Sequence, residues 1–85
     1  HFYENKLSKE LKALRTLEDR EQQINLKLQD VNETIDLMKE QTELMKESKE
    51  LEMAFSNLLV FKHKLTNQLN ELKAEKNAAR RTLLK

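Results

Sequence analysis

The chain of 85 residues contains no glycine, no proline, no cysteine and no tryptophan. Glycine and proline mark most turns, so a backbone without them has few places to reverse direction. Without cysteine, no disulfide can stabilise a small fold, and this composition favours an intracellular protein, cytoplasmic or associated with the cytoskeleton. Aromatic residues make up only 5% of the chain, so a compact globular core would be small and marginally stable.

Long apolar runs are missing too. The longest covers residues 58–61, whereas a membrane-spanning helix needs roughly 20 apolar residues. No signal peptide or transit segment is visible at the start. Because the first residue is His1 and not methionine, we expect a fragment of a larger protein, and we expect it not to bind membranes.

What is present is a helix-forming, highly charged composition. Charged residues make up 36% of the chain and hydrophobic residues 38%. Leucine, lysine, glutamate and glutamine favour helices, and this mixture is typical of coiled coils. Apolar residues recur at alternating spacings of three and four, which places them on one stripe of a helix facing a partner helix. We call this stripe the seam.

The seam runs through two heptad series. The apolar seam residues of the first series are Leu7, Leu14, Leu17, Ile24, Leu28, Val31, Ile35, Met38 and Met45. Those of the second are Leu51, Phe55, Leu58, Leu65, Leu69, Leu72 and Leu83. The step from Met45 to Leu51 is six residues where an unbroken series needs seven, which indicates a register shift within residues 37–51.

These patterns predict an all-α fold in which residues 1–85 form a single coiled-coil segment. The expected structure is one helix of up to about 128 Å, at 1.5 Å per residue, paired with a second copy as a parallel two-stranded coiled coil. The alternative is an antiparallel helical hairpin, or a four-helix assembly, that bends near Ser48. Ser48 could cap a new helix, but Leu51 cannot complete a capping box, so the continuous helix is preferred.

Charged side chains interrupt the seam at Glu10, Glu21, Lys62 and Lys76. Lysine at such a position costs stability but favours a two-stranded coil, because its long stem can carry the ammonium out of the core. The partner we expect is therefore a second copy of the chain.

One local feature departs from a narrow stripe. Within residues 55–61, Phe55 and Leu58 belong to the seam, while Leu59, Val60 and Phe61 extend around the helix. A helix that is apolar most of the way round usually contacts more than one neighbour. We name Leu59, Val60 and Phe61 the outer patch. It is either a docking site for a partner protein or a tetramer contact, or it covers the edge of the dimer seam.

Charge is distributed unevenly. Residues 29–56 carry three basic and eight acidic side chains, whereas residues 57–85 carry seven basic and two acidic ones. A basic segment can attract an acidic surface. We nevertheless expect no nucleic-acid binding, because Glu71 and Glu75 interrupt this segment and no base-reading signature is present.

Nothing in the sequence indicates catalysis. There is no glycine-rich phosphate loop, and the two histidines, His1 and His63, lie far apart along the chain, whereas a metal site needs several converging ligands. We expect no enzyme activity, no metal, no cofactor and no small-molecule substrate. The heptads resemble coiled-coil segments of large cytoskeletal, centrosomal, motor-adaptor or tethering proteins. The function we expect is dimerisation and spacing, with partner docking at residues 55–61 or tetrameric assembly as alternatives.

Overall fold

The computed structural model describes the backbone of residues 2–84 and the side chains of residues 5–84. Within that part of the chain the fold is all-α. Helix α1 covers Phe2–Glu40, α2 covers Thr42–Glu47 and α3 covers Lys49–Leu84. The molecule is elongated and measures 66 × 16 × 15 Å.

Helices α1 and α3 lie antiparallel against each other as a hairpin. Two ion pairs show the direction of packing, since Glu21 in α1 meets Lys76 in α3 and the earlier Glu18 meets the later Arg80. The 39 residues of α1 span about 58 Å at 1.5 Å per residue. The 66 Å long axis is therefore little more than one helix long, because the chain folds back on itself.

This architecture differs from the expected single continuous helix, which is interrupted at Gln41 and Ser48. At Gln41 (φ −99°, ψ 38°) the amide donates to the carbonyl of Met38, 3.0 Å away and only three residues earlier. At Ser48 the backbone is extended (φ −124°, ψ 114°), and there the chain reverses direction. Both interruptions lie within residues 37–51, where the heptad register shifts.

Ser48 makes the reversal possible without glycine. Its extended backbone is the conformation usual for a residue just before a helix, and its Oγ accepts a hydrogen bond from the amide of Leu51 at 3.3 Å. Its own amide donates to the carbonyl of Leu44 at 3.1 Å. The expectation of a continuous helix through Ser48 is therefore wrong, since half of a capping box is enough to start α3.

The hydrophobic core is a single line of contacts between α1 and α3. Among the described side chains, Ile35 and Leu65 are the most buried, each only 3% exposed. They form a cluster with Val31, against which Ile24, Leu28, Phe55 and Leu58 pack. Leu69 and Leu72 are also buried, further along α3. The core therefore lies in the middle of the hairpin and thins toward both ends.

Shortening a side chain in this core should destabilise the hairpin, whereas shortening an exposed side chain should not. We expect Leu65→Ala to lower the free energy of unfolding by about 2–5 kcal/mol, as for other fully buried leucines. Val60→Ala is the matched control on the same helix, because Val60 is 55% exposed, and its effect should stay within about 0.5 kcal/mol. Urea unfolding followed by far-UV circular dichroism measures both, and equal losses would contradict this position of the core.

Candidate functional site

The structure places nearly all of the apolar seam residues on the inner face of the hairpin. All of them are buried or half-buried except Leu7 and Leu51. The two heptad series therefore face each other within one chain, where the sequence analysis expected them to face a second copy. Leu51 is 38% exposed, in the first turn of α3 beside the reversal.

Leu7 is exposed because α1 extends past α3. Since Glu18 lies opposite Arg80, the end of α3 at Leu84 reaches only the level of residues near Leu14 in α1. Leu7 and Leu11 lie beyond that level and are 50% and 46% exposed. This first part of α1 has seam residues but no helix of the described chain opposite them.

Two of the charged seam residues, Glu21 and Lys76, are matched across the hairpin. Lys76 Nζ donates to Glu21 Oε2 at 3.1 Å, and both side chains are only 18% exposed. Glu10 and Lys62 are half-buried as well. Sequence analysis recognised Glu21 and Lys76 as seam interruptions but did not pair them. Their opposite charges at seam positions were the signal that could have shown the antiparallel pairing.

A second ion pair lies at the edge of the seam. Arg80 Nη2 and Glu18 Oε1 are 3.8 Å apart, with side chains 51% and 46% exposed. Solvent screens such a pair, so its contribution to stability is small. It adds to the antiparallel alignment without being needed for the fold.

The outer patch remains on the surface. Leu59, Val60 and Phe61 are 43%, 55% and 45% exposed, while their neighbours Phe55 and Leu58 pack into the core. The stretch of residues 55–61 is thus divided between two roles. Its inner side holds the hairpin together, and its outer side presents three consecutive large apolar side chains to solvent.

Helix α1 adds apolar surface on one flank of this patch. One shallow groove between the two helices is lined by residues that include Arg20, Lys27, Gln68 and Glu75. Each of these four residues directly precedes a seam residue at position a of its heptad. That flank of α1 therefore lies beside the same flank of α3.

Phe61 holds this position too. Leu37 in α1 and Leu44 in α2 hold the next outward heptad position on the same flank of the hairpin. These two leucines are 63% and 52% exposed, so they extend the apolar surface near the turn.

The turn end and the open end of the hairpin differ in charge. The acidic residues 29–56 form the half nearest the turn, whereas the basic residues 57–85 run back toward the start of α1. The outer patch lies between these regions, at the beginning of the basic segment.

The described residues offer little for metal binding. No group of three or more His, Asp or Glu side chains is close enough there to hold a metal ion. His63 is exposed on α3, and His1 lies outside the described residues. No described helix is both long and apolar enough to cross a membrane.

The Glu21–Lys76 pair provides a test of the antiparallel register. Glu21→Lys should lower the free energy of unfolding by about 1–2 kcal/mol, between the values for exposed and buried pairs, because two half-buried ammonium groups would meet. Adding Lys76→Glu reverses the pair and should recover most of this loss. Glu18→Lys is the control and should cost less, since that pair is more exposed. A double variant no more stable than Glu21→Lys alone would show that the two side chains do not face each other.

Comparison of the chain with protein-family models, with curated proteins and with solved structures finds no match in any of the three. No residue roles can therefore be transferred to this chain from another protein.

Proposed function

We propose that this chain is a structural association module, a helical-hairpin arm that docks a partner protein through its outer patch. The observation that carries the proposal is the exposure of Leu59, Val60 and Phe61 at 43–55%, on a helix whose inner face is already occupied. Scattered single apolar side chains are normal on protein surfaces, whereas a contiguous group more often marks an interaction site.

The shape of the surface supports a helical or extended peptide partner. The outer patch extends around the outside of α3, and across the groove between the helices Leu37 in α1 and Leu44 in α2 add exposed apolar side chains on its Phe61 side. A partner helix laid along this groove would contact apolar side chains from both helices, as in other complexes where an amphipathic helix adds to a helical surface. Phe61 is the largest of these side chains and is the expected anchor.

Association also suits the setting inferred from composition. We place the module in a larger intracellular protein of cytoskeletal, centrosomal, motor-adaptor or tethering type, where it would separate or connect neighbouring domains. Its role needs no cofactor, metal or small-molecule substrate. It requires only a rigid arm, which the 66 Å hairpin supplies.

A second candidate function is dimerisation and spacing as a parallel two-stranded coiled coil. It is favoured by the seam, whose heptads could pair equally well with a second copy, and by the exposed Leu7 and Leu11 at the start of α1. Such a dimer would have to open the hairpin, because the same seam residues now pack within one chain. Two closed hairpins joined through the outer patch would instead form a four-helix assembly.

Docking can be tested by changing the patch while keeping the hairpin. Phe61→Glu should leave the free energy of unfolding within about 0.5 kcal/mol of the original, because the side chain is 45% exposed, yet it should abolish partner binding. A photo-crosslinking residue at Val60 in the full-length protein should then yield a protein adduct that is lost with Phe61→Glu. The matched control is the same crosslinker at exposed Asn70 on α3. Equal crosslinking at both positions would contradict a docking role for the patch.

The oligomeric state separates the two candidates. Light scattering coupled to size exclusion should give a mass near 10.1 kDa for the docking arm, with melting that does not depend on concentration. A mass near twice that value with concentration-dependent melting would favour the dimeric spacer. A fourfold mass, or a dimer removed by Phe61→Glu, would favour assembly through the outer patch.

A further inference from the structure

The connection between α2 and α3 is unusually short. Only Ser48 leaves the helical conformation between Glu47 and Lys49, whereas helical hairpins commonly use loops of roughly two to five residues. Neither glycine nor proline is present to require a turn. Short hinges of this kind favour exchange of an element between two copies, because the closed turn is the least stable part of the fold.

The turn also leaves a regular row of leucines uncovered. Leu37, Leu44 and Leu51 follow one another at seven-residue spacing and are 63%, 52% and 38% exposed. The row continues at the same spacing with Leu58, which is half-buried, and Leu65, which is buried. If the helix ran straight through Ser48, these five leucines would form one unbroken heptad row across the hinge.

We infer that the hairpin opens at Ser48 and that two copies exchange their α3 helices. The product is an antiparallel dimer in which each chain continues as a helix through Ser48 and does not reverse direction. The partner is a second copy of this chain, and the two-fold axis lies close to Ser48. This inference goes beyond partner docking, because it uses the seam and the hinge and leaves the outer patch free.

The one-residue register shift requires the helix to be overwound near the hinge, which brings both seams onto one face. With the seams aligned in this way, the exchange keeps the contacts that stabilise the hairpin. Ile35 would pack against Leu65, and Glu21 would pair with Lys76, as before, but between chains. While Ser48 is extended, the first amides of α3 have no preceding helical turn whose carbonyl groups could accept their hydrogen bonds. A helix that continues through Ser48 supplies these acceptors. Only the Ser48 hydrogen bond to the amide of Leu51 is lost.

Charge favours the antiparallel over the parallel dimer. A parallel pair would place the two basic segments of residues 57–85 side by side, each with seven basic and two acidic residues. In the antiparallel pair these segments lie at opposite ends, each beside residues 13–41 of the other copy, because Glu18 lies opposite Arg80. Residues 13–41 are net acidic, with four basic and seven acidic side chains.

Two hinge variants test the exchange in opposite directions. Lys49→Pro suits the closed hairpin, because proline is favoured at the first position of a helix and Ser48 already has the extended backbone that precedes proline. It cannot enter a continuous helix without a clash with the carbonyl four residues earlier. Ser48→Ala removes the cap and favours helix at the hinge.

The chain and both variants are heated, cooled slowly at high concentration and analysed by sedimentation. The unmodified chain should give a mixture of 10.1 kDa and twice that mass. Ser48→Ala should raise the dimer fraction several-fold, and Lys49→Pro should leave only monomer. Monomer in all three samples overturns the exchange, as does a dimer that Lys49→Pro leaves unchanged.

Chain direction is tested separately in the cysteine-free background. A single cysteine introduced at exposed Asn77 lies far from its counterpart in the antiparallel dimer, so oxidation should not link the two copies within it. A disulfide-linked dimer would indicate parallel pairing and overturn the inference. Phe61→Glu should not alter the dimer fraction, so failure of partner docking and failure of the exchange give different results.

Discussion

The burial of one apolar seam between α1 and α3 is the interaction on which the rest of this structure depends. A single helix with an exposed apolar stripe gains nothing from burial, and short isolated helices are marginal in water. Packing Val31, Ile35 and Leu65 together removes this stripe from solvent. Because both halves belong to one chain, the pairing does not have to overcome the translational entropy that a second molecule would lose.

Because a single seam holds the two helices together, the hairpin is slender. Its shape determines which side chains remain exposed for a partner to contact. Two helices bury only one stripe of each other, so most of their surface stays in solvent. Charged side chains cover much of it, but Leu59, Val60 and Phe61 are exposed on the outside of α3, Leu37 is exposed on α1 and Leu44 on α2. These exposed side chains are the observation on which the proposed docking of a partner protein rests.

The polar residues of the seam give the packing its direction. An apolar stripe alone can pair at several registers, because leucine against leucine discriminates weakly among them. The Glu21–Lys76 contact at 3.1 Å matches one charge with its opposite at a single alignment. Its net contribution to stability is modest, but misaligned pairing would leave both groups half-buried and unmatched, which costs more.

The helical fold followed from the sequence by itself, because the chain lacks glycine and proline and a 3.6-residue helix turns its regular apolar spacing into one face. The heptads also predict which side of residues 55–61 belongs to the seam. Which helix covers the seam was decided only by the tertiary structure. A heptad pattern indicates that a helix needs a partner helix but does not identify that partner. Pairing within one chain is possible because Ser48 adopts an extended backbone and caps α3. The exposure of Leu7 likewise depends on where α3 ends relative to α1. Long-range packing sets this offset between the two helices, so the residues around Leu7 do not reveal it.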